Sequence, residues 1–258
     1  MTPEQFELHA NIEDKHWWFV GRREIIRRVV FQIAPPSKDF HIVDVGCGTG
    51  GNLGVLARHY ACTGLDDSAE GIELAKKRFP ETKFICGSAQ GDMEELGGLT
   101  DLLLLLDVLE HVAFDREFLV NLLNHVKPKG HILLTVPADM SLWSPHDVHH
   151  GHYRRYELSD LEELCSSLPA SLIFISYFNT FLYPIVRIVR TVTRCRNREY
   201  GLAGTDLSLP PHFLNGLLAK TFSWEGRFLT SALKGRRRSP FVFGVSLMAL
   251  LRKEQGSI

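Results

Sequence analysis

Gly46, Gly48 and Gly50 follow a short apolar run, His41 to Val45, in the stretch Val43-Asp44-Val45-Gly46-Cys47-Gly48-Thr49-Gly50-Gly51-Asn52. A strand that ends in glycines can turn tightly, because glycine accepts left-handed backbone angles that a Cβ disfavours. The helix expected over Asn52 to His59 then presents unpaired amides and the positive end of its dipole at that turn. This arrangement points to an α/β fold that holds a nucleotide-like ligand at a strand's carboxyl end. Two glycine spacings coexist here. Gly46, Gly48 and Gly51 fit the dinucleotide form GxGxxG. Gly46, Gly48 and Gly50 fit the tighter GxGxG form, with the acid Asp44 two residues ahead. Neither match is specific alone.

The remaining pattern is strand, helix, strand. Pro3 to Ile33 reads as one or two helices, ended by Pro35 and Pro36. Cys62 to Leu65 is a second strand ending at Asp66, and Ser68 can cap a helix running to Phe79. Lys83 to Cys86 and Leu102 to Leu106 follow, the latter a continuous apolar run that suits a strand buried on both faces. A helix is expected over Asp115 to Val126, with Lys127-Pro128-Lys129-Gly130 as its stop. Further on come a strand His131 to Val136, a helix Glu157 to Ser167 and strands Leu172 to Phe178 and Val242 to Leu251. Parallel neighbours need long crossovers, so this alternation implies a parallel sheet covered on both sides.

Two signals add chemistry. Asp66 lies about 20 residues past the glycines, where a carboxylate can accept both hydroxyls of an adenosine ribose. The segment Asp101 to Val112 is an apolar strand whose mouth carries Asp107, Glu110 and His111. Ligands of open α/β sheets sit at strand carboxyl ends, so these groups approach the glycines' ligand from another strand.

Together, Asp44-x-Gly-x-Gly-x-Gly, Gly64-Leu65-Asp66-Asp67-Ser68 and Asp107-Val108-Leu109-Glu110-His111 resemble the successive motifs of class I S-adenosylmethionine (SAM)-dependent methyltransferases, especially the branch acting on small molecules and lipids. The resemblance covers about Phe40 to Pro137. It implies a Rossmann-like, doubly wound, seven-stranded and mostly parallel sheet, with an antiparallel terminal strand, Val242 to Leu251, beside Leu172 to Phe178. It implies SAM as cofactor and S-adenosylhomocysteine (SAH) as product. Gly46, Gly48 and Gly50 would wrap the methionine part, Asp66 would bind the ribose, and Ser88 and Ala89 would flank the adenine. Ser88 stands where an acid is commoner. Asp107 would border the methionine amino group, and Asp44, Cys47, Asn52, Asp67 and Val108 complete the expected cofactor contacts.

Two further stretches resemble a less characterised branch of the superfamily: His16-Trp17-Trp18-Phe19-Val20-Gly21-Arg22-Arg23, and Leu142-Trp143-Ser144-Pro145-His146-Asp147 continuing through Gly151-His152-Tyr153-Arg154-Arg155-Tyr156. The resemblance implies that Trp18 and Arg22 close over the cofactor, with Arg22 near its carboxylate. It implies that Trp18, Trp143, His152, Arg154 and Tyr156 line the acceptor pocket. His111, His146 and His150 are the candidate bases, since neutral imidazole suits proton removal near neutral pH. The cluster of His146, His149, His150 and His152 with Asp147 matches no zinc spacing and lacks cysteine, so no metal is expected. Arg154 and Arg155 either fork an anionic group or pair with Glu157 and Asp160.

Composition bounds the rest. Net charge is −1, so the chain is no obvious nucleic-acid binder. Cys47, Cys62, Cys86, Cys165 and Cys195 are scattered, which argues against a disulfide framework and for a reducing, cytoplasmic setting. Between Asn179 and Pro240, eleven Lys and Arg face three acids. An anionic acceptor, peripheral contact with a membrane, an acidic partner and a solvated face all fit that excess. The expected organisation is an N-terminal helical cap over 1–39, a SAM-binding core over 40–178, a mostly helical insertion over 179–239 and a terminal strand over 240–258, as a monomer or homodimer. The expected reaction is methyl transfer to oxygen or nitrogen, rather than carbon, of a small-molecule acceptor. An NAD(P)-dependent oxidoreductase is the first alternative; Asp44 and the 107–111 segment oppose it, and no Tyr-x-x-x-Lys pair occurs. A non-catalytic SAM-binding protein is the second.

Overall fold

The computed structural model describes residues 3–89, 91–96, 98–195, 208–235 and 239–255. Arg196, Arg198, Glu199, Asp206 and Arg236 to Arg238 of the basic segment lie outside the described residues, as do the side chains of Arg194 and Cys195. Helices α1 (Pro3–Ile12) and α2 (Trp17–Ile33) precede the sheet. Then follow β1 (His41–Val45), α3 (Gly51–Leu56), β2 (Ala61–Asp66), α4 (Ala69–Arg78), β3 (Lys83–Cys86), β4 (Thr100–Leu106), α5 (Asp115–Asn124) and β5 (Val126–Pro137). The remainder is α6 (Pro145–His149), α7 (Leu158–Ser166), β6 (Ala170–Phe178), α8 (Tyr183–Cys195), α9 (His212–Lys234) and β7 (Ser246–Lys253).

The seven strands run in the order β3-β2-β1-β4-β5-β7-β6. Strand β7 is antiparallel to both its neighbours, and the other described pairings are parallel. Strand order reverses between β1 and β4, and a crevice opens at such a switch point. Alternation along each strand feeds two apolar layers. Leu102 and Leu104 of β4 share one apolar cluster with Ile25 and Val29 of α2 and Phe222 and Leu229 of α9, whereas Leu103 and Leu105 share another with Leu119 of α5 and Leu161 of α7. Helices α2 and α9 approach closely because Gly21 has no side chain: a Cβ there would lie 2.6 Å from the Phe222 ring.

Several boundaries differ from expectation. Strand β7 begins at Ser246, not Val242. Val242 is 80% exposed and Phe243 44%, and both lie in the loop before β7. Gly244 passes so close to β6 that a Cβ would fall 2.4 Å from the Phe178 carbonyl oxygen. Helix α5 ends at Asn124, and the Lys127-Pro128-Lys129-Gly130 stop already lies inside β5, where the pairing with β4 shifts register. Cys47, Cys62, Cys86 and Cys165 are free thiols. No described helix is long and apolar enough to cross a membrane.

Candidate active site

The carboxyl ends of β1 and β4 open onto a cavity of about 720 Å³, the size of a cofactor pocket. Its floor is the glycine turn. Gly46, Gly48 and Gly50 have φ of 74°, 52° and 79°, the left-handed angles that the spacing implied. Gly46 also has no room for a side chain, since a Cβ would lie 2.4 Å from a Val108 methyl. Asp66 organises this floor: its carboxylate accepts the Gly48 amide at 2.8 Å and the Ser68 amide at 2.9 Å. Burial raises its pKa, and those two amides work against the rise. Ser68 caps α4 by accepting from the Gly71 amide at 3.1 Å. Asp67 is exposed beside it. Ser88 is no acid, but its amide donates to the Asp92 carboxylate at 2.6 Å, so an acid does occupy this turn four residues later.

Above the floor, α2 delivers Arg22. Its guanidinium meets Asp107 at 2.9 Å and donates to the Thr135 hydroxyl at 2.8 Å; that hydroxyl donates to the other Asp107 oxygen at 2.9 Å. Asp107 has φ 57°, a backbone angle that costs a non-glycine residue about 1–2 kcal/mol and that clusters at functional sites. The Arg22 guanidinium also lies 5.1 Å from the Trp18 ring centroid. Asp44 is wholly buried on the same face of β1, and burial pushes its pKa up to about 7 although Arg22 opposes the shift. Glu13, just before α2, accepts from the Thr49 hydroxyl at 2.8 Å and pairs with Arg78.

The far wall is a shelf of histidines from α6 and the turn after it. Asp147 is its hub. It is fully buried, caps α6 at Ser144 through a 2.8 Å bond, accepts His152 Nδ1 at 2.9 Å, and is gripped by Arg155 through Nε and a terminal nitrogen at 2.9 and 3.1 Å. Burial alone would raise its pKa, but the His152 hydrogen bond and the Arg155 and Arg190 charges hold it well below the usual carboxylate range. His150 donates Nδ1–H to the His146 carbonyl at 2.9 Å, and its buried Nε2 has no partner among the described residues. Burial, then neighbouring imidazoles, push His111 down to about 4, and they lower His146 and His150 as well. All three are therefore neutral near pH 7.

Of the residues singled out from the sequence, Trp18, Arg22, Gly46, Cys47, Gly48, Asn52, Asp107, His111, His146, His150 and His152 line the cavity. Trp143, Arg154 and Tyr156 are not among its lining residues, and neither are Asp44, Gly50, Asp66, Asp67, Ser88, Ala89 and Val108. Arg154 instead donates to the Asp115 carboxylate at 2.6 Å and the Ala113 carbonyl at 2.8 Å, and the buried Tyr156 hydroxyl donates to Asp115 at 2.9 Å. Arg154 and Arg155 thus pair with Asp115 and Asp147, not with Glu157 and Asp160. Asn179, just after β6, belongs to no sequence motif: it is buried with φ 56°, lines the cavity, and neither its side-chain nitrogen nor its side-chain oxygen has a partner among the described residues. Glu225 of α9 fixes that turn by accepting the Phe181 amide at 2.7 Å. Helix α9 also anchors α2, since Asn215 accepts the Trp17 amide at 2.9 Å and donates to the Lys15 carbonyl at 2.7 Å.

Residues 18–171, more than half of the chain, match the family described as methyltransferase domain, and the chain belongs to that family. It is 31% identical over 130 residues to the trans-aconitate 2-methyltransferase of Deinococcus radiodurans, covering 49% of each chain. It is 30% identical over 115 residues to the ubiquinone biosynthesis O-methyltransferase of Rickettsia akari, covering 43% of this chain and 45% of that one. The chain thus spans about half the length of these curated relatives. In fold it is similar to the plantazolicin methyltransferase BamL, solved with a triazolic desmethylPZN analog and SAH, with a TM-score of 0.58 at 14% identity over 98% of this chain and 91% of that one.

Proposed function

We propose that this chain transfers the methyl group of SAM to an oxygen or nitrogen of a small-molecule acceptor. The observation that carries this reading is one continuous cavity with the glycine turn on one side, the Arg22–Asp107 pair in the middle and the histidine shelf opposite. Asp66 takes the ribose, the Arg22 guanidinium faces the methionine carboxylate and Trp18 covers it. A sulfonium methyl is already activated, so the work of the site is alignment, which can supply about 7–11 kcal/mol of barrier reduction. The acceptor lies between the cofactor and the shelf. Ile185, Val186 and Val189 of α8 and Leu214 and Leu218 of α9 offer it an apolar wall, with Asn179 and Arg190 as polar contacts. On this reading the described residues of 1–39 cap the cofactor, and α8 and α9, the described helices of 179–239, form the acceptor's wall beside the core 40–178. The alternative of NAD(P) chemistry is disfavoured by the family match.

Among the candidate bases, His150 has the best geometry. Its Nδ1–H is spent on a carbonyl, so Nε2 must carry the lone pair. Replacing His150 by alanine lowers kcat by about 10²–10⁴-fold if it removes the acceptor's proton, and SAH affinity stays unchanged. Because its pKa is lowered by burial, the acid limb of kcat/KM falls below the ordinary imidazole value of about 6.5. An unchanged kcat in the variant assigns proton removal elsewhere.

Calorimetry with SAH tests the core of the proposal. The intact chain binds, and Asp66→Ala weakens binding by about 1–3 kcal/mol through the lost charged hydrogen bonds. Absence of SAH binding by the intact chain sinks the reading.

A further inference from the structure

Glu110 and His111 stand on the turn after β4, and His152 on the turn after α6. The fold brings one ligand atom of each within 4.8 Å of the others. Glu110 is 1% exposed, and its Oε2 has no hydrogen-bond partner among the described residues. A buried carboxylate oxygen of that kind is costly unless a cation or donor meets it. Arg22 and Arg155 form ion pairs with Asp107 and Asp147 and act on Glu110 through their charge, while its Oε2 accepts no hydrogen bond among the described residues.

His152 is held as a ligand. Its Nδ1 lies 2.9 Å from the Asp147 carboxylate, so the nitrogen facing that acceptor donates and Nε2 is the ring atom left to meet a ligand. A histidine whose far nitrogen donates to a carboxylate is the usual support of a metal-bound imidazole, with tautomer and ring plane fixed in advance. The His111 ring meets His152 edge-on, with centroids 4.7 Å apart. All three side chains line the cavity in which the acceptor is placed.

We infer that Glu110, His111 and His152 form a binding site for a divalent first-row transition-metal cation, with open coordination positions turned toward the acceptor. Two imidazoles and one carboxylate suit zinc, iron(II) or cobalt(II), and three protein ligands with a free position are the catalytic rather than the structural pattern. The sequence pointed to no metal because the conspicuous spacing was that of His146, His149, His150 and His152. The ligand set shares with it only His152.

The inference rests on the methyl-transfer reading and specifies its acceptor as an oxygen nucleophile able to ligate the cation. A hydroxyl bound there releases its proton more readily. The proton leaves to water in the open cavity, the oxygen–carbon bond forms as the carbon–sulfur bond breaks, and the sulfonium leaves as the neutral thioether of SAH.

The test uses the purified full chain, stripped with a chelator and titrated with zinc(II) by calorimetry and with cobalt(II) by visible absorption. One equivalent binds, and cobalt develops ligand-field bands of mixed nitrogen and oxygen coordination. Glu110→Gln and His152→Asn each weaken zinc binding by more than about 100-fold, the upper range for loss of an outer partner, and leave SAH affinity within about twofold. His111→Asn, at a more exposed position, replaces either variant that fails to fold. A chain that binds SAH but takes up no stoichiometric zinc or cobalt overturns the inference, as do folded variants that bind the metals like the parent. Failure to bind SAH strikes the methyl-transfer reading instead, so the two failures are distinguishable.

Discussion

Replacing Arg155 by leucine lowers the free energy of unfolding by about 3–5 kcal/mol, the cost of leaving one partner of a buried ion pair behind. The Arg155 side chain is 3% exposed and that of Asp147 is 0%. Arg155 also donates to the Ala138 carbonyl at 3.0 Å, tying the histidine shelf to the end of β5. Denaturant unfolding followed by circular dichroism measures the loss. Its pH dependence is diagnostic. The folded pKa of Asp147 is depressed, so its contribution is complete above the unfolded carboxylate value of about 3.9 and drains away as pH falls from there toward the folded value. The variant has less depression to lose, so the gap between the two proteins narrows in acid. A gap of constant size down to pH 3 would mean that the loss comes from packing and not from charge.

Phe222→Ala is expected to cost a similar amount, about 3–5 kcal/mol, the range for emptying a buried aromatic site. Phe222 is fully buried, stacks on Phe178 with centroids 6.0 Å apart and meets Trp17 edge-on at 6.1 Å. It therefore joins α9 to β6 and to the helix that carries Trp18 and Arg22. A melting temperature unchanged by the substitution would show that α9 is a detachable appendage. The expected loss makes it part of the core, so the second half of the cavity wall cannot swing away without unpacking the sheet.

Local signals were legible in the sequence, and long-range ones were not. The left-handed angles of Gly46, Gly48 and Gly50, the Ser68 cap and the reach of Asp66 to the turn all follow from neighbours within about 20 residues. Ile25 and Val29 could be read as one apolar helix face, but nothing in the sequence says that Phe222 is what covers it. Arg154 and Arg155 make the limit plain. Successive side chains in an extended segment point to opposite sides, so the first goes to Asp115, 39 residues back, and the second to Asp147, eight residues back; the first lies beyond local reach, and the second is near in sequence but shares no motif spacing with Arg155. Val242 and Phe243 misled for the opposite reason. Their residue types are those of a strand, but the backbone joins the sheet only after Gly244 has cleared the Phe178 carbonyl. Glu110 and His152 lie far apart in sequence, so their meeting could be seen only in the folded chain.

The position of β7 between β5 and β6 sets an order on how the chain is made. Strand β6 has no parallel neighbour of its own to join, because the strand that bridges it to β5 is Ser246–Lys253. On a ribosome adding about 5–20 residues per second, β6 waits roughly 3–14 s after its own synthesis for that bridge. During that interval both of its edges, and the outer edge of β5, are open to any extended peptide nearby. Helices α8 and α9 emerge in the same interval, before the surface they cover is complete. The nucleotide-binding half, β1 to β5, is by then fully translated, so the cofactor's floor can assemble while the acceptor's wall is still being synthesised.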